Sequence, residues 1–276
     1  MIVDREELHM AVQAVPYWSE CDFTVLSAGA HVVAFDLDNT LARSKKPMSP
    51  DMGRHISELT RLIPIAIITG GRFGLIDSQV LAMLGDRTDR SNLYLMPTSG
   101  TRYYRWHDTQ WHCEYAYDLD PGDRRDVIAS LERHAREQGI WCEHPWGECI
   151  EDRGSQITFS ALGQQAPIEE KEAWDGDNAK KNRLAQAVAA DFPHLAVRSG
   201  GSTSVDVSRR GIDKAFAVRS LAKILAIDVQ TMIYIGDRMD PDGNDYPAAM
   251  AGTRALRVDG PQDTLQVCAA LIERLS

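Results

Sequence analysis

Four short runs along the chain are almost purely apolar: Val32-Val33-Ala34-Phe35, Ile65-Ala66-Ile67-Ile68, Met232-Ile233-Tyr234-Ile235 and Ala255-Leu256-Arg257-Val258. Runs of this length without polar alternation predict parallel strands covered on both faces. Three of them end in polar or glycine residues, namely Asp36, Thr69-Gly70 and Gly236-Asp237. Elsewhere apolar residues recur at helical spacing. Met52, Ile56, Leu59 and Leu62 follow Ser49-Pro50, which reads as an N-cap and first-turn proline. Ala215, Val218, Leu221, Ala222 and Leu225 mark a second helix, and Leu265, Cys268, Leu271, Ile272 and Leu275 a closing one. All three stripes are expected to face the core.

The middle of the chain has a different texture. It carries a helix (Val127, Ile128, Leu131, Ala135) and strand-like pieces at Cys149-Ile150-Glu151 and Gln156-Ile157-Thr158-Phe159-Ser160. The polar stretch from Glu169 to Lys181 reads as a solvated loop and helix start. A helix around Leu184–Val188 and a strand at Ser204-Val205-Asp206-Val207 follow. The whole is therefore expected to be α/β, a parallel-sheet domain interrupted by a separate α+β domain.

Composition narrows the function. The chain has 276 residues, 43% hydrophobic and 25% charged, enough for a substantial core. A formal charge of −10 argues against nucleic acid and anionic membranes as partners. No apolar run approaches the ~20 residues that span a bilayer. The opening Met1-Ile2-Val3-Asp4-Arg5-Glu6-Glu7 does not resemble a secretory signal. Cys21, Cys113, Cys142, Cys149 and Cys268 form no Cys-x-x-Cys pair, so reduced thiols and a cytoplasmic location are expected. No interface patch is readable, and the oligomeric state stays open.

In open α/β sheets, ligands bind beyond the carboxyl ends of the strands, where the polar residues fall. Asp36 and Asp38 flank Leu37 directly after the first run. A carboxylate there can attack phosphorus and form an acyl phosphate. A second carboxylate can protonate the leaving oxygen and then deprotonate an incoming water. Two carboxylates so close repel each other, and a divalent cation relieves the repulsion while neutralising phosphate. Thr40 and the turn's N–H groups can cradle phosphate oxygens. Thr69 and Gly70 offer a hydroxyl and exposed amides to the phosphoryl group. Lys214, in Gly211-Ile212-Asp213-Lys214, would hold Asp36 ionised. Asp237 adds a further carboxylate, and oxygen-only ligation suits Mg2+. Asn244 and Asp245 are expected as outer partners that orient Lys214 or the ion's surroundings. The loop lacks the closing glutamate of an EF-hand.

Taken in order, Asp36-Leu37-Asp38-Asn39-Thr40, Thr69, Lys214 and Gly236-Asp237 with Asn244-Asp245 resemble the four motifs of the haloacid dehalogenase superfamily. The resemblance implies a Rossmann-like core with Asp36 as nucleophile and Asp38 as acid/base. It also implies Mg2+ held by Asp36, Asp237 and the backbone carbonyl of Asp38. The stretch from Thr40 to Thr69 is too short for a domain, whereas that from Thr69 to Lys214 has room for one. This places a C2-type α+β cap at residues 113–210, with residues 1–112 and 211–276 as the core. Such a cap would close over the core and carry specificity.

Within the superfamily, residues 145–276 are most similar to eukaryotic-type phosphomannomutases. Gly200-Gly201-Ser202-Thr203-Ser204-Val205-Asp206-Val207 is similar to their sugar-binding strand, and Pro241-Asp242-Gly243-Asn244-Asp245-Tyr246 to their fourth-motif loop. Gly260-Pro261-Gln262-Asp263-Thr264 also fits. The similarity marks Arg153, Ser204 and Asp206 as cap residues that read the substrate. It also has departures. The mutases hold a second phosphate with several cap arginines. Here only Arg153 matches, the others falling on Trp146 and Gln164, and neutral side chains cannot replace a bidentate guanidinium. Asn39 stands where the mutases carry glycine, and the first ~30 residues form an N-terminal extension outside the resemblance to that family. The leading expectation is thus a magnesium-dependent phosphatase acting through a phosphoaspartyl enzyme on a phosphorylated sugar or similar small metabolite. A phosphohexose mutase is the alternative, with Lys45 and Lys46 as extra phosphate-binding charge. A non-catalytic sugar-phosphate sensor is the third reading, opposed by the intact set of Asp36, Asp38, Lys214 and Asp237.

Overall fold

The structure, a computed structural model, describes residues 14–276; the Met1–Glu7 opening lies outside the described residues. The chain divides into one unit that ends at Glu114 and resumes over Asp213–Ser276, and a second unit, Tyr115–Ile212. In chain order the first unit begins with α1 (Phe23–Ser27), β1 (Val32–Phe35), α2 (Pro50–Leu59), β2 (Ile65–Ile68), α3 (Phe73–Gln79) and β3 (Leu93–Met96). A hairpin of β4 (Arg102–His107) and β5 (Gln110–Ala116) leads into the second unit. That unit contains α4 (Pro121–Glu137), β6 (Ile150–Asp152), β7 (Gln156–Ser160), α5 (Ile168–Trp174), α6 (Ala179–Asp191), β8 (Leu195–Ser199) and β9 (Ser204–Arg209). The chain returns through α7 (Lys214–Leu225), β10 (Met232–Gly236), α8 (Tyr246–Met250), β11 (Arg254–Arg257) and α9 (Pro261–Leu275).

The first unit's sheet has the order β11-β10-β1-β2-β3-β4-β5. The strands from β11 to β3 are parallel, and β4 joins antiparallel. Both faces of β1, β2 and β10 are buried, which is why these runs are apolar without alternation. Val33, Phe35, Ile65, Ile67, Ile233 and Ile235 pack with α2, α3 and α9 through Met52, Ile56, Ile76, Val267 and Leu271. Ser49 caps α2 as expected, its Oγ accepting from Met52 N at 3.2 Å, with Pro50 in the first turn. The helix stops at Leu59, because Pro64 drives the chain out of helical geometry toward β2. Leu62 consequently leaves the core stripe and is 37% exposed, while Ile63 turns inward.

Residues 16–28, from the N-terminal stretch that lies outside the family resemblance, contact the sheet edge. Pro16 O accepts from Arg257 N at 2.9 Å, and Tyr17 OH donates to Asp263 Oδ2 at 2.6 Å. The Arg254 guanidinium donates to the carbonyls of Leu26 (3.0 Å) and Ala28 (2.6 Å). These contacts occupy β11, whose free edge would otherwise template pairing with another chain.

The second unit is built on an antiparallel sheet ordered β6-β7-β9-β8. Ile157, Phe159, Val205 and Val207 on one face pack with Val127, Leu131, Leu184 and Val188 of α4 and α6. The Glu169–Lys181 stretch, read as a solvated loop and helix start, holds most of α5 as well as the start of α6. Asp175 then accepts from the N–H groups of Lys180 and Lys181, at 3.0 Å each, and so starts α6. Among the described residues no helix is long and apolar enough to cross a membrane. The five cysteines are free thiols.

Candidate active site

Parallel pairing of β10, β1 and β2 brings three strand ends to one level. Phe35 lies in register with Ile235 and Ile67, and Asp36 N donates to Ile235 O at 2.9 Å. β1 is also where the strand order reverses, running to β2 on one side and β10 on the other, the crevice where open sheets bind ligands. Asp36 leaves β1 into a tight turn. The N–H groups of Thr40, Leu41 and Ala42 all donate to Leu37 O, at 3.3, 3.0 and 3.1 Å. Asn39 sits in this turn at φ 61°. Asparagine tolerates that left-handed region better than most residues, which accounts for its standing in place of glycine.

Asp36 is buried and bonded to the Lys214 ammonium at the start of α7. Lys214 Nζ also donates to Asp245 Oδ1 at 2.5 Å. Thr40 Oγ1 donates to Asp36 Oδ2 at 3.4 Å. Carboxylate oxygens of Asp36, Asp237 and Asp245 all lie within 4.8 Å of one another. Three carboxylates against one ammonium leave two negative charges, which one divalent cation would neutralise. Burial pushes the Asp36 carboxyl up; Lys214 opposes this, while Asp245 and Asp237 reinforce it. Burial and Asp245 push Asp237 up to about 6. For Lys214 burial works against the charge, but Asp245 and Asp36 outweigh it and hold the ammonium above its ordinary value. An all-oxygen donor set with this charge excess fits Mg2+.

The structure places the other expected residues as follows. Asp38 stays out of the carboxylate cluster, with Oδ1 accepting from Lys45 N at 2.8 Å. Its expected metal contact runs through the backbone carbonyl rather than this side chain. Asp245, expected to orient Lys214 or the ion's surroundings, does bond Lys214 and also lies in the carboxylate cluster. Asn244 is exposed. Thr69 is buried at the end of β2, where its Oγ1 accepts from Gly71 N at 3.1 Å; Gly70 lies between them in the same turn. Ser204 and Asp206 share one face of β9 in the second unit. Asp206 Oδ1 accepts from Thr158 Oγ1 (2.6 Å) and Gln156 Nε2 (2.7 Å), and Ser204 Oγ lies 3.3 Å from Ser160 Oγ. Arg153 holds Glu151 at 2.6 Å, both largely buried.

Sequence reading missed Tyr234. Its position inside an apolar run looks like core, yet its hydroxyl donates to Asp245 Oδ1 at 2.6 Å in a fully buried setting. Tyr234, Asp245, Lys214 and Asp36 thus form one chain of hydrogen bonds ending on the expected nucleophile. Arg238 N supplies Asp245 with a third donor, to Oδ2 at 3.1 Å. Gly236 makes the approach possible, since a Cβ there would stand 2.5 Å from Asp245 Cγ. A lone polar group in an otherwise apolar strand run was the available signal. Tyr234→Phe is expected to lower stability by about 1.5–3 kcal/mol, the range for a hydrogen bond to a charged group. Urea unfolding checks the loss.

Known proteins give the same reading of the fold. A solved IMP-nucleotidase from Plasmodium falciparum superposes with a TM-score of 0.67 at 17% identity, over 91% of this chain and 64% of that one. A haloacid dehalogenase-like hydrolase from Bacteroides thetaiotaomicron does so with a TM-score of 0.59 at 14% identity, over 90% and 100% of the two chains. Sequence relatives extend along most of the length. A phosphomannomutase of Spinacia oleracea is 26% identical over 245 residues, covering 87% of this chain and 94% of the relative. A probable phosphomannomutase of Caenorhabditis elegans is 25% identical over 241 residues, covering 84% and 92%. The family model for eukaryotic phosphomannomutase matches residues 52–274. The chain therefore belongs to the eukaryotic phosphomannomutase family, within the haloacid dehalogenase superfamily.

Proposed function

We propose that this protein transfers a phosphoryl group of a phosphorylated sugar through an aspartyl phosphate on Asp36, as a phosphohexose mutase. The single observation that carries the chemistry is the buried Asp36 carboxylate bonded to Lys214 at the end of β1. An Asp36 oxygen forms the new bond to phosphorus as the sugar–oxygen bond to phosphorus breaks. Asp38 gives its proton to the departing sugar oxygen. The free hydroxyl at the other end of a hexose monophosphate then loses its proton to Asp38 and takes the phosphoryl group, giving a hexose bisphosphate and restoring the Asp36 carboxylate; once the bisphosphate has turned over, its other phosphate returns to Asp36 and the isomeric monophosphate leaves. Lys214 opposes the effect of burial and favours the charged form of the free Asp36 carboxylate, and Thr69 with the Gly70 amide would bind the transferring group.

Asp36, Asp237 and the Asp38 carbonyl would hold Mg2+, with Asp245 beside them; the ion would supply charge neutralisation for the phosphate. At 100 times its Kd, magnesium is expected to stabilise the protein by about 2.7 kcal/mol, read as a rise in Tm. Protons compete with it. Because the Asp237 carboxyl is pushed up to about 6, the magnesium effect should grow as pH rises through that value and shrink below it. Asp237→Asn should remove most of the shift.

A mutase is favoured over the hydrolase expected first from sequence, because the relatives that match over nearly their whole length are phosphomannomutases. Hydrolysis stays as a second reading on one specific observation. A mutase must also hold its substrate's far phosphate, and Arg153, the one matching guanidinium, is paired with Glu151. In the hydrolytic version water replaces the sugar hydroxyl as final acceptor. The two separate in one assay with a hexose 1-phosphate and a trace of hexose 1,6-bisphosphate. A mutase accumulates hexose 6-phosphate with little free phosphate; free phosphate in step with substrate loss overturns that reading.

A further inference from the structure

The tip of the β4–β5 hairpin carries a second set of ligating side chains, separate from the carboxylate cluster. Asp108 and Thr109, at φ 50° and 65°, make a two-residue turn with both residues left-handed. This turn type folds one strand directly back on the other. His107 and His112 meet across the hairpin with their rings stacked, centroids 3.7 Å apart and planes 9° from parallel. Ligand atoms of His107, Asp108 and His112 all lie within 4.8 Å of one another.

Two details point to a ligand. His107 Nε2 is 2.9 Å from Glu114 Oε1, and His107 Nδ1 is 3.2 Å from Asp108 Oδ2. A neutral imidazole has one N–H. Given to Glu114, it leaves the Nδ1 lone pair facing a carboxylate oxygen, and two acceptors at that distance need a proton or a metal ion between them. Independently, His112 Nε2 is shielded from solvent and has no hydrogen-bond partner. A second proton on His107 would satisfy its two carboxylates, but it would leave His112 Nε2 without a partner.

We propose that His107, Asp108 and His112 bind a divalent transition ion such as Zn2+. Imidazole ligands suit Zn2+, Co2+ and Ni2+ and disfavour Mg2+, so the two clusters sort ions by chemistry. Glu114 accepts the remaining N–H of His107, the carboxylate–histidine–metal arrangement that fixes the ring's tautomer. Metal–nitrogen bonds of about 2.0–2.1 Å require the ligands to draw inward. The hairpin tip allows this, the side chains of His107 and Asp108 being 47% and 86% exposed. The bound ion staples β4 to β5, the strand through which the chain leaves the first unit.

The test is Co2+ titration of the full-length, tag-free protein in excess magnesium, followed by visible absorption and by Zn2+ displacement. A single saturable equivalent is expected, retained in Asp237→Asn and lost in His112→Gln. Glu114→Gln should weaken it by about 10–100-fold, the usual effect of removing such an outer partner. If His112→Gln fails to fold, Glu114→Gln decides alone. Absence of a Co2+ signal, its survival in both variants, or its loss in Asp237→Asn overturns the proposal. None of these outcomes bears on the phosphoryl chemistry, which uses other residues.

Discussion

An Asp36→Asn variant is expected to keep its fold and lose turnover by about 10⁴-fold or more, on the scale seen when a nucleophile is removed. The amide has the shape of the carboxylate but no nucleophilic oxygen. Its carbonyl can still accept from Lys214, whose ammonium also keeps its bond to Asp245. Asp36 is one of three carboxylates gathered around that single ammonium, so neutralising it relieves repulsion. Stability should be unchanged or raised. Two measurements check this: product formation from a sugar phosphate, and urea unfolding of the same preparation. Acid quenching during turnover should trap covalent phosphate on the wild type and none on the variant. Turnover within about tenfold of wild type, a barrier change of only ~1.4 kcal/mol, would sink the covalent mechanism.

Lys214→Met should have the largest effect on stability. Its ammonium is 1% exposed and bonds both Asp36 and Asp245, themselves buried. Removing one partner of a buried ion pair strands the others and typically costs about 3–5 kcal/mol. The loss depends on pH, and the sign follows from the carboxylates. Burial already raises Asp36 above its ordinary value with Lys214 present, and Lys214 is the largest influence opposing that rise. Without it the folded state binds protons more tightly than the unfolded chain. Stability of the variant must therefore fall as pH rises above the ordinary carboxylate range and recover as pH is lowered. Urea midpoints at pH 5 and pH 8 should differ more in Lys214→Met than in wild type. An equal penalty at both would mean that the stranded charges are not the cause. Turnover should fall as well, since Asp36 would be more fully protonated at neutral pH than with Lys214 beside it.

The parallel strands β1, β2 and β10 were readable from sequence because a strand buried on both faces has little choice but to be apolar along its length. The α2 cap was readable for a similar local reason, since serine and proline each act within one turn. Ends of elements were harder. Leu62 continues the helical period of Met52, Ile56 and Leu59, but the proline two residues on dominates the backbone there. The hairpin of β4 and β5 escaped notice, its strands being half-exposed and rich in aromatic and charged residues. The pairing of the N-terminal segment with β11 depends on contacts between the two ends of the chain, which no local pattern carries.

For the site, the chain's own order of residues determined which groups could do phosphoryl chemistry: Asp36 and Asp38 after one buried strand, Asp237 after another, Lys214 at a helix start. Tertiary structure decided their company. It set Asp245 inside the carboxylate cluster, turned the Asp38 side chain toward the Lys45 amide, and hung Tyr234 on Asp245. Residue type and strand position are encoded locally, through burial and turn geometry. Which carboxylate meets which ammonium depends on the register of strands far apart in sequence and on gaps such as the one Gly236 leaves for Asp245, and those exist only once the sheet has formed.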